Sequence, residues 1–347
     1  SMTPNPTSST TVLVTGISGF LAGHVALQLL QAGYRVRGTV RSLDKAARVA
    51  ASLRAAGQTD LAALECIEAD LLADAGWDDA VTGCDYVIHT ASPFPASVPK
   101  DENELIRPAR EGTLRVLRAA QRAGVQRVVL TSSIAAIVYG EAHSPYSERD
   151  WTDVNSPQTT PYYKSKTLAE QDAWAFARDS GLSLAVINPG LILGPLLTAE
   201  AGTSLALLTK LLRGEVPALP RFGVSIVDVR DVADAHVRAM QTPDAAGQRF
   251  IVAGRFMWVS EVAAELHRSF PALARKVPRL TLPDWLVKVF SLFDPATRLI
   301  VRELGKRKTV DASRARTVLG WTPRTEEEAI RASVESLVEK GLIKPAS

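Results

Sequence analysis

Through the first half of the chain, short runs of β-branched and other apolar residues alternate with segments of helical periodicity. The runs TVLVT (11–15), YRVRGTV (34–40), LECIEA (64–69), DYVIHT (85–90), RVVLTSS (127–133) and SLAVINP (183–189) have the length and composition of strands. Helix-like segments fall between them at 20–32, 43–56, 74–82, 104–123 and 162–179. Strands separated by helices cannot be hairpins; they make βαβ units and a parallel sheet. Several runs are apolar almost throughout, as required when helices cover both faces. Right-handed crossovers then leave an open, doubly wound α/β sheet.

After residue 190 the pattern loosens. A helix near 203–213, a strand VSIVDV (224–229), a helix from Arg230 and a strand RFIVAG (249–254) precede several turn-rich helical segments. The expected organisation is a parallel-sheet domain over 11–190 and a smaller mixed C-terminal lobe over 191–347, with the strands near 224–229 and 249–254 available to the first sheet. Residues 1–10, SMTPNPTSST, lack a basic stretch followed by an apolar one and read as a disordered leader.

Composition narrows the function classes. A chain of 347 residues that is 46% hydrophobic and 22% charged is ordinary globular protein. No apolar run reaches the roughly eighteen residues of a membrane span. Cys66 and Cys84 offer no disulfide framework, which suits a reducing, cytoplasmic setting, and both read as inert small hydrophobes. A net charge of +3 gives no case for nucleic acid, and the five histidines fall at no metal-ligand spacing.

Candidate chemistry begins where the first strand turns into the first helix. In VTGISGFLAGHVALQLL, Gly16 and Gly19 let the backbone approach a pyrophosphate held by helix N-terminal amides. The same glycines also suit a purely structural turn. An NAD-binding chain carries an acid about twenty residues on, for the ribose 2′-hydroxyl. Here VRGTVRSLDK supplies Arg41 and Lys45 instead, either a solvated basic loop or readers of a 2′-phosphate, and the reading favours NADP(H). Asp70 and Leu71, in EADLL, flank the adenine, unless Asp70 caps the following helix. In HTASP (89–93), Thr90, Ala91 and Ser92 are small where the chain passes the cofactor.

The stretch PYYKSKTLAEQDAWAF (161–176) sets two tyrosines beside two lysines. Positions i and i+4 share a helix face, so Tyr162 pairs with Lys166, whereas Tyr163 meets Thr167 and faces elsewhere. A free phenol ionises near pH 10; bringing it to about 7 requires roughly 4 kcal/mol of preference for phenolate, which a neighbouring ammonium supplies in a dry site. The alternative is an amphipathic tyrosine beside a snorkelling lysine. Thr131, Ser132 and Ser133 end the fifth strand, at the carboxyl edge where doubly wound sheets bind ligands, and a hydroxyl there can steady a carbonyl oxygen. Serine and threonine also end strands for local reasons.

Taken together, VTGISGFLA, GTVRS, EADL, HTASPF, NELIRPAREGTLRVLRAA, VVLTSS, YYKSKTLAE, INPGLILGP, DVRDVADAH and LGWTPRT resemble the extended short-chain dehydrogenases/reductases, a branch of the NAD-dependent epimerase/dehydratase superfamily. Within it they are most similar to the dihydroflavonol reductase, cinnamoyl-CoA reductase and yeast-type aldehyde/ketone reductase group. The resemblance, over about residues 11–342, implies a Rossmann fold and a catalytic triad of Ser133, Tyr162 and Lys166. It further implies NADP(H) contacts from Gly16, Ser18, Gly19, Phe20, Leu21, Thr131, Pro189, Gly190, Ile192 and Ser204. Many members carry an asparagine three positions before a Gly-Thr pair to feed a proton relay; Ala109 stands there, leaving water and Lys166. The cinnamoyl-CoA signature N-W-Y-C-Y-G-K is replaced by TPYYKSK, which argues against a coenzyme A thioester.

The implied reaction is reversible hydride transfer between NADPH and an aldehyde or ketone, with Tyr162 as acid or base. Phe94, Tyr139, Tyr146, Phe222, Phe256, Trp258 and Trp285 fall in segments expected to shape the substrate site, although Trp258 and Trp285 read as core. A hydrophobic or aryl carbonyl follows. The rivals are a 3β-hydroxysteroid-type dehydrogenase, a nucleotide-sugar epimerase or dehydratase, and an NADP(H)-sensing binding protein. The basic run GKRKTVDASRAR (305–316) reads as a solvated face, and TPRTEEEAIRASVESLVEKG as a capped structural helix. Helices 104–123 and 162–179 either pair with a second copy, as a homodimer, or simply cover the sheet.

Overall fold

The computed structural model describes residues 10–90, 100–140 and 143–345. Nine residues of the leader, and with them Ala91, Ser92 and Phe94, lie outside this set. Six strands alternate with helices from the start: β1 (Thr11–Val14), α1 (Phe20–Gln31), β2 (Arg35–Val40), α2 (Ala46–Ala55), β3 (Leu64–Glu68), α3 (Trp77–Val81), β4 (Tyr86–His89), α4 (Asn103–Arg122), β5 (Arg127–Thr131), α5 (Pro161–Ser180) and β6 (Leu184–Pro189). Next come β7 (Leu191–Leu193), α6 (Ala206–Leu212), β8 (Gly223–Asp228), α7 (Val229–Gln241), β9 (Arg249–Val252), β10 (Phe256–Trp258) and α8 (Val259–Ser269). The chain ends on α9 (Asp284–Ser291), α10 (Pro295–Ile300), α11 (Ser313–Leu319) and α12 (Glu326–Glu339).

The main sheet is parallel, ordered β3-β2-β1-β4-β5-β6-β9, so the strand order reverses between β1 and β4. It is a Rossmann sheet, and its switch point opens a crevice at the carboxyl ends of β1 and β4. Helices α1 and α7 cover one face with Val25, Leu29, Val232 and Met240, while α3, α4 and α5 cover the other with Trp77, Val116, Leu117 and Ala173. That two-sided cover explains the unbroken apolar strands. Strand β9 belongs to this sheet, whereas β8 lies in a separate three-stranded sheet, β10-β8-β7. A second core, with Leu208, Leu211, Leu266, Ile330 and Leu337, packs the C-terminal helices on that small sheet.

The helix expected at 74–82 is only Trp77–Val81, because Gly76, at φ 89°, starts it in a left-handed conformation. Asp70 does not cap it: its Oδ1 accepts from the Leu72 amide at 2.9 Å, and its carbonyl accepts from Trp77 Nε1. Among the described residues no helix is long and apolar enough to cross a membrane.

Candidate active site

Apart from Ala91 and Ser92, which lie outside the described residues, all the cofactor and catalytic residues named from the sequence line one cleft of about 630 Å³. It runs along the carboxyl edge of the main sheet and is closed on its far side by the small sheet and by residues 303–308.

One end is built by the turn after β1. Gly16 sits at φ 61°, in the left-handed region where only glycine is unstrained, and its carbonyl accepts from the Gly19 amide at 2.9 Å. Thr39 anchors the turn from β2, accepting from Gly16 N through its hydroxyl at 2.8 Å. Gly19 caps α1 without any side-chain bond, so the first helical amides, around Phe20 and Leu21, face the cleft unused. An anionic pyrophosphate fits that donor set. Arg41 and Lys45 stand beyond the end of β2, while the neighbouring Arg48 is occupied by Glu200 at 2.8 Å.

The middle of the cleft is held from behind by buried histidines. Thr90 Oγ1 donates to the Thr15 carbonyl, and Thr15 Oγ1 meets His89 Nδ1 at 2.7 Å. Burial, seconded by the Lys166 ammonium, depresses His89 to about 3. Thr131 Oγ1 meets His236 Nε2 at 2.6 Å, and burial lowers His236 to about 4.

The other end joins β5 to α5. Ser133 is extended and caps a 3₁₀ turn, its Oγ accepting from the Ala135 amide at 3.0 Å. One acceptor site on the hydroxyl is thereby used, and its own proton remains available for a group in the cleft. Helix α5 begins at Pro161, with Thr160 as N-cap. That start places Tyr162 in the first turn and Lys166 on the same face, the ammonium 5.8 Å from the ring centroid. The neighbouring lysine diverges: Lys164 reaches Glu102 at 3.0 Å, outside the cleft. Half of Tyr162 is exposed, within a cleft open to solvent.

Tyr163 departs from expectation. It too lines the cleft, stacked on Tyr139 with centroids 3.7 Å apart and planes within 8°, and edge-on to Tyr162. Burial raises both stacked phenols, Tyr139 the more strongly. Lys308 lies 4.5 Å above the Tyr139 ring, pairs with Glu303 at 3.0 Å and donates to the Val138 carbonyl. The run 305–316 is therefore not wholly a solvated face, since Lys306 and Lys308 form part of the wall. Sequence spacing gives no hint of this contact, which joins residues more than 160 positions apart.

Of the aromatics marked for the substrate region, Tyr139, Phe222 and Phe256 line the cleft. Tyr146 is buried in a separate cluster with Ile137 and Ile251, and Trp258 packs edge-on against Phe256. Trp285 is not core: it is 66% exposed.

The chain matches the model of the NAD dependent epimerase/dehydratase family over residues 12–254. It is 35% identical to cinnamoyl-CoA reductase CAD2 of Medicago truncatula, over 95% of this chain and 96% of that one. It is 36% identical to dihydroflavonol 4-reductase of Zea mays, over 97% and 91%. Among solved structures it resembles the yeast methylglyoxal/isovaleraldehyde reductase Gre2 complexed with NADPH, at TM-score 0.76 and 26% identity, covering 95% of this chain and 98% of that one.

Proposed function

The chain belongs to the NAD-dependent epimerase/dehydratase family, and on that premise we propose that it reduces a hydrophobic or aryl aldehyde or ketone to its alcohol with NADPH. The observation that carries the reading is the meeting of Ser133, Tyr162 and Lys166 in the same cleft as the glycine turn and Arg41. Sugar-nucleotide epimerases that retain NAD need an acid where Arg41 stands, which disfavours that rival.

NADPH, when bound, supplies the hydride. The amides after Gly19 suit its pyrophosphate, and Arg41 and Lys45 its 2′-phosphate. Pro189, Gly190 and Ile192, with Ser204, suit the nicotinamide side. The Ser133 hydroxyl, whose acceptor side is engaged by Ala135, donates to the substrate carbonyl oxygen. Tyr162 gives its phenolic proton to that oxygen as it becomes an alcohol, and Lys166 stabilises the phenolate left behind. Tyr139, Phe222 and Phe256 give the substrate an apolar wall, which supports the aryl or hydrophobic class.

The test is NADPH oxidation over a panel of aldehydes, ketones and steroids, with wild type, Tyr162→Phe and Tyr163→Phe. Loss of about 10²- to 10⁴-fold in kcat is expected for Tyr162→Phe alone. Wild-type turnover by a folded Tyr162→Phe enzyme overturns the mechanism. Tight NADPH binding without consumption on any carbonyl overturns the enzyme in favour of a sensor.

A further inference from the structure

Helix α9 is amphipathic, but its apolar stripe points away from the protein. Trp285 and Val289 lie one turn apart, and Leu292 and Phe293 extend the same stripe past the helix end, at spacings i, i+4, i+7 and i+8. Trp285 is 66% exposed, Leu292 69% and Phe293 82%, while Val287 and Ser291 face inward. Leu299 on α10, tied to α9 by the bond from Arg298 Nε to the Ser291 carbonyl at 2.8 Å, adds to the patch. Large apolar residues clustered this way on a surface mark an interaction site.

Charge says what the site accepts. Residues 275–308 hold nine Lys and Arg against three Asp and Glu, a net +6, whereas the whole chain is +3, so the rest is net acidic. Arg275, Lys276, Arg279, Lys288, Arg298 and Arg302 are all exposed. Of the three acids, Asp284 accepts from Arg221, Glu303 is buried against Lys308, and exposed Asp294 caps α10, accepting from Ala296 N and Thr297 Oγ1. On the face itself Lys288, Arg298 and Arg302 are exposed against the single exposed acid Asp294, so a second copy would set like charges together and self-association through this face is electrostatically opposed. Tryptophan, phenylalanine and leucine on the same segment as exposed Lys288, Arg298 and Arg302 suit the interface of an anionic bilayer, where each basic residue near the surface contributes about 1 kcal/mol.

We propose that the α9–α10 face docks in the plane of an anionic membrane surface without crossing it. The same segment runs on into Glu303, Lys306 and Lys308, so the docked face is continuous in the chain with the cleft wall. Among the described residues no helix is long and apolar enough to span a bilayer, and a surface contact needs none. The proposal stands independently of the reduction chemistry.

The test is co-sedimentation of the full chain with vesicles of phosphatidylcholine, alone or with about one-third phosphatidylserine. The protein should pellet at least about tenfold more with the anionic vesicles, and about 0.5 M salt should release it by shortening the Debye length to about 4 Å. Trp285→Ser with Phe293→Ser should abolish pelleting while leaving NADPH-induced thermal stabilisation intact, and Lys288→Glu with Arg302→Glu should do the same through charge alone. Wild type remaining in the supernatant with anionic vesicles at low salt overturns the proposal. So does a dimer, seen by sedimentation equilibrium, that the Trp285→Ser/Phe293→Ser pair converts to monomer, because the face then belongs to a second copy.

Discussion

Asn188 donates its side-chain amide to the backbone carbonyl of Ser133 at 3.1 Å. The same nitrogen donates to Glu170 Oε1 at 2.6 Å, and Glu170 is held by Arg249 at 2.6 Å with both charges almost fully buried. Arg249, on β9, also donates to the Glu148 and Asp150 carbonyls and stacks on Trp151. One buried node therefore fixes α5, which carries Tyr162 and Lys166, against the end of β5, which carries Ser133. Asn188→Ala should cost about 1–3 kcal/mol of stability and lower kcat about tenfold with little change in the KM for NADPH. Glu170→Ala strands the Arg249 charge and should cost about 3–5 kcal/mol. Urea unfolding and steady-state kinetics read both, and an Asn188→Ala enzyme with undiminished kcat removes the positioning role.

Cofactor choice is expected to follow Arg41. Arg41 lines the cleft just beyond β2, where a 2′-phosphate is a natural partner for a guanidinium. Charge-assisted hydrogen bonds contribute about 1.5–3 kcal/mol, so Arg41→Ala should raise the KM for NADPH by roughly 10- to 150-fold and leave that for NADH nearly unchanged. Titration of both cofactors decides the matter; equal losses for the two would mean that Arg41 serves the loop alone.

Gly190 shows why the two sheets meet as they do. A Cβ there would lie 2.4 Å from the Ser225 carbonyl oxygen and 3.2 Å from Ala253 Cβ. The first is backbone of β8 and cannot rotate aside, so β6 and the small sheet can approach only at glycine. Gly190→Ala should destabilise by about 1–3 kcal/mol and weaken NADPH binding, because the displaced strands line the cleft. An unchanged melting temperature in that variant would show that the small sheet moves freely.

The strands of the main sheet were legible in the sequence because burial on both faces leaves long β-branched runs, and the glycine turn and Tyr162–Lys166 pair because they depend on local spacing. Strands β7 and β10 were not, being three residues each and defined by pairing with β8. Nor was the wall formed by Glu303 and Lys308, whose place against Tyr139 is set by the path of the C-terminal lobe. Trp285 is exposed where its apolar size suggests core, because size alone does not say which way a helix faces. Tyr163 lines the cleft against the i+4 expectation, because that rule describes one helix and Tyr139 arrives from another element.

Acid should weaken the fold well before the carboxylates protonate. His24, His89 and His236 are buried, and burial lowers all three below the ordinary 6.5, His89 to about 3 and His236 to about 4. His236 must carry its proton on Nδ1, which faces the Val232 carbonyl at 2.7 Å, leaving Nε2 to accept from Thr131. Protonating Nε2 would end its role as acceptor for that bond and place a charge in a fully buried site at the end of β5. The native state therefore keeps the rings neutral, while the unfolded chain takes up protons below pH 6.5. Stability is full above that value and falls as pH drops toward the folded pKa values, each ring contributing up to about 1.4 kcal/mol per pH unit. Urea midpoints should decline between pH 7 and 5.5, and His236→Gln should flatten the slope by about one proton. A midpoint constant across that range would mean that the histidines gain compensating bonds on protonation.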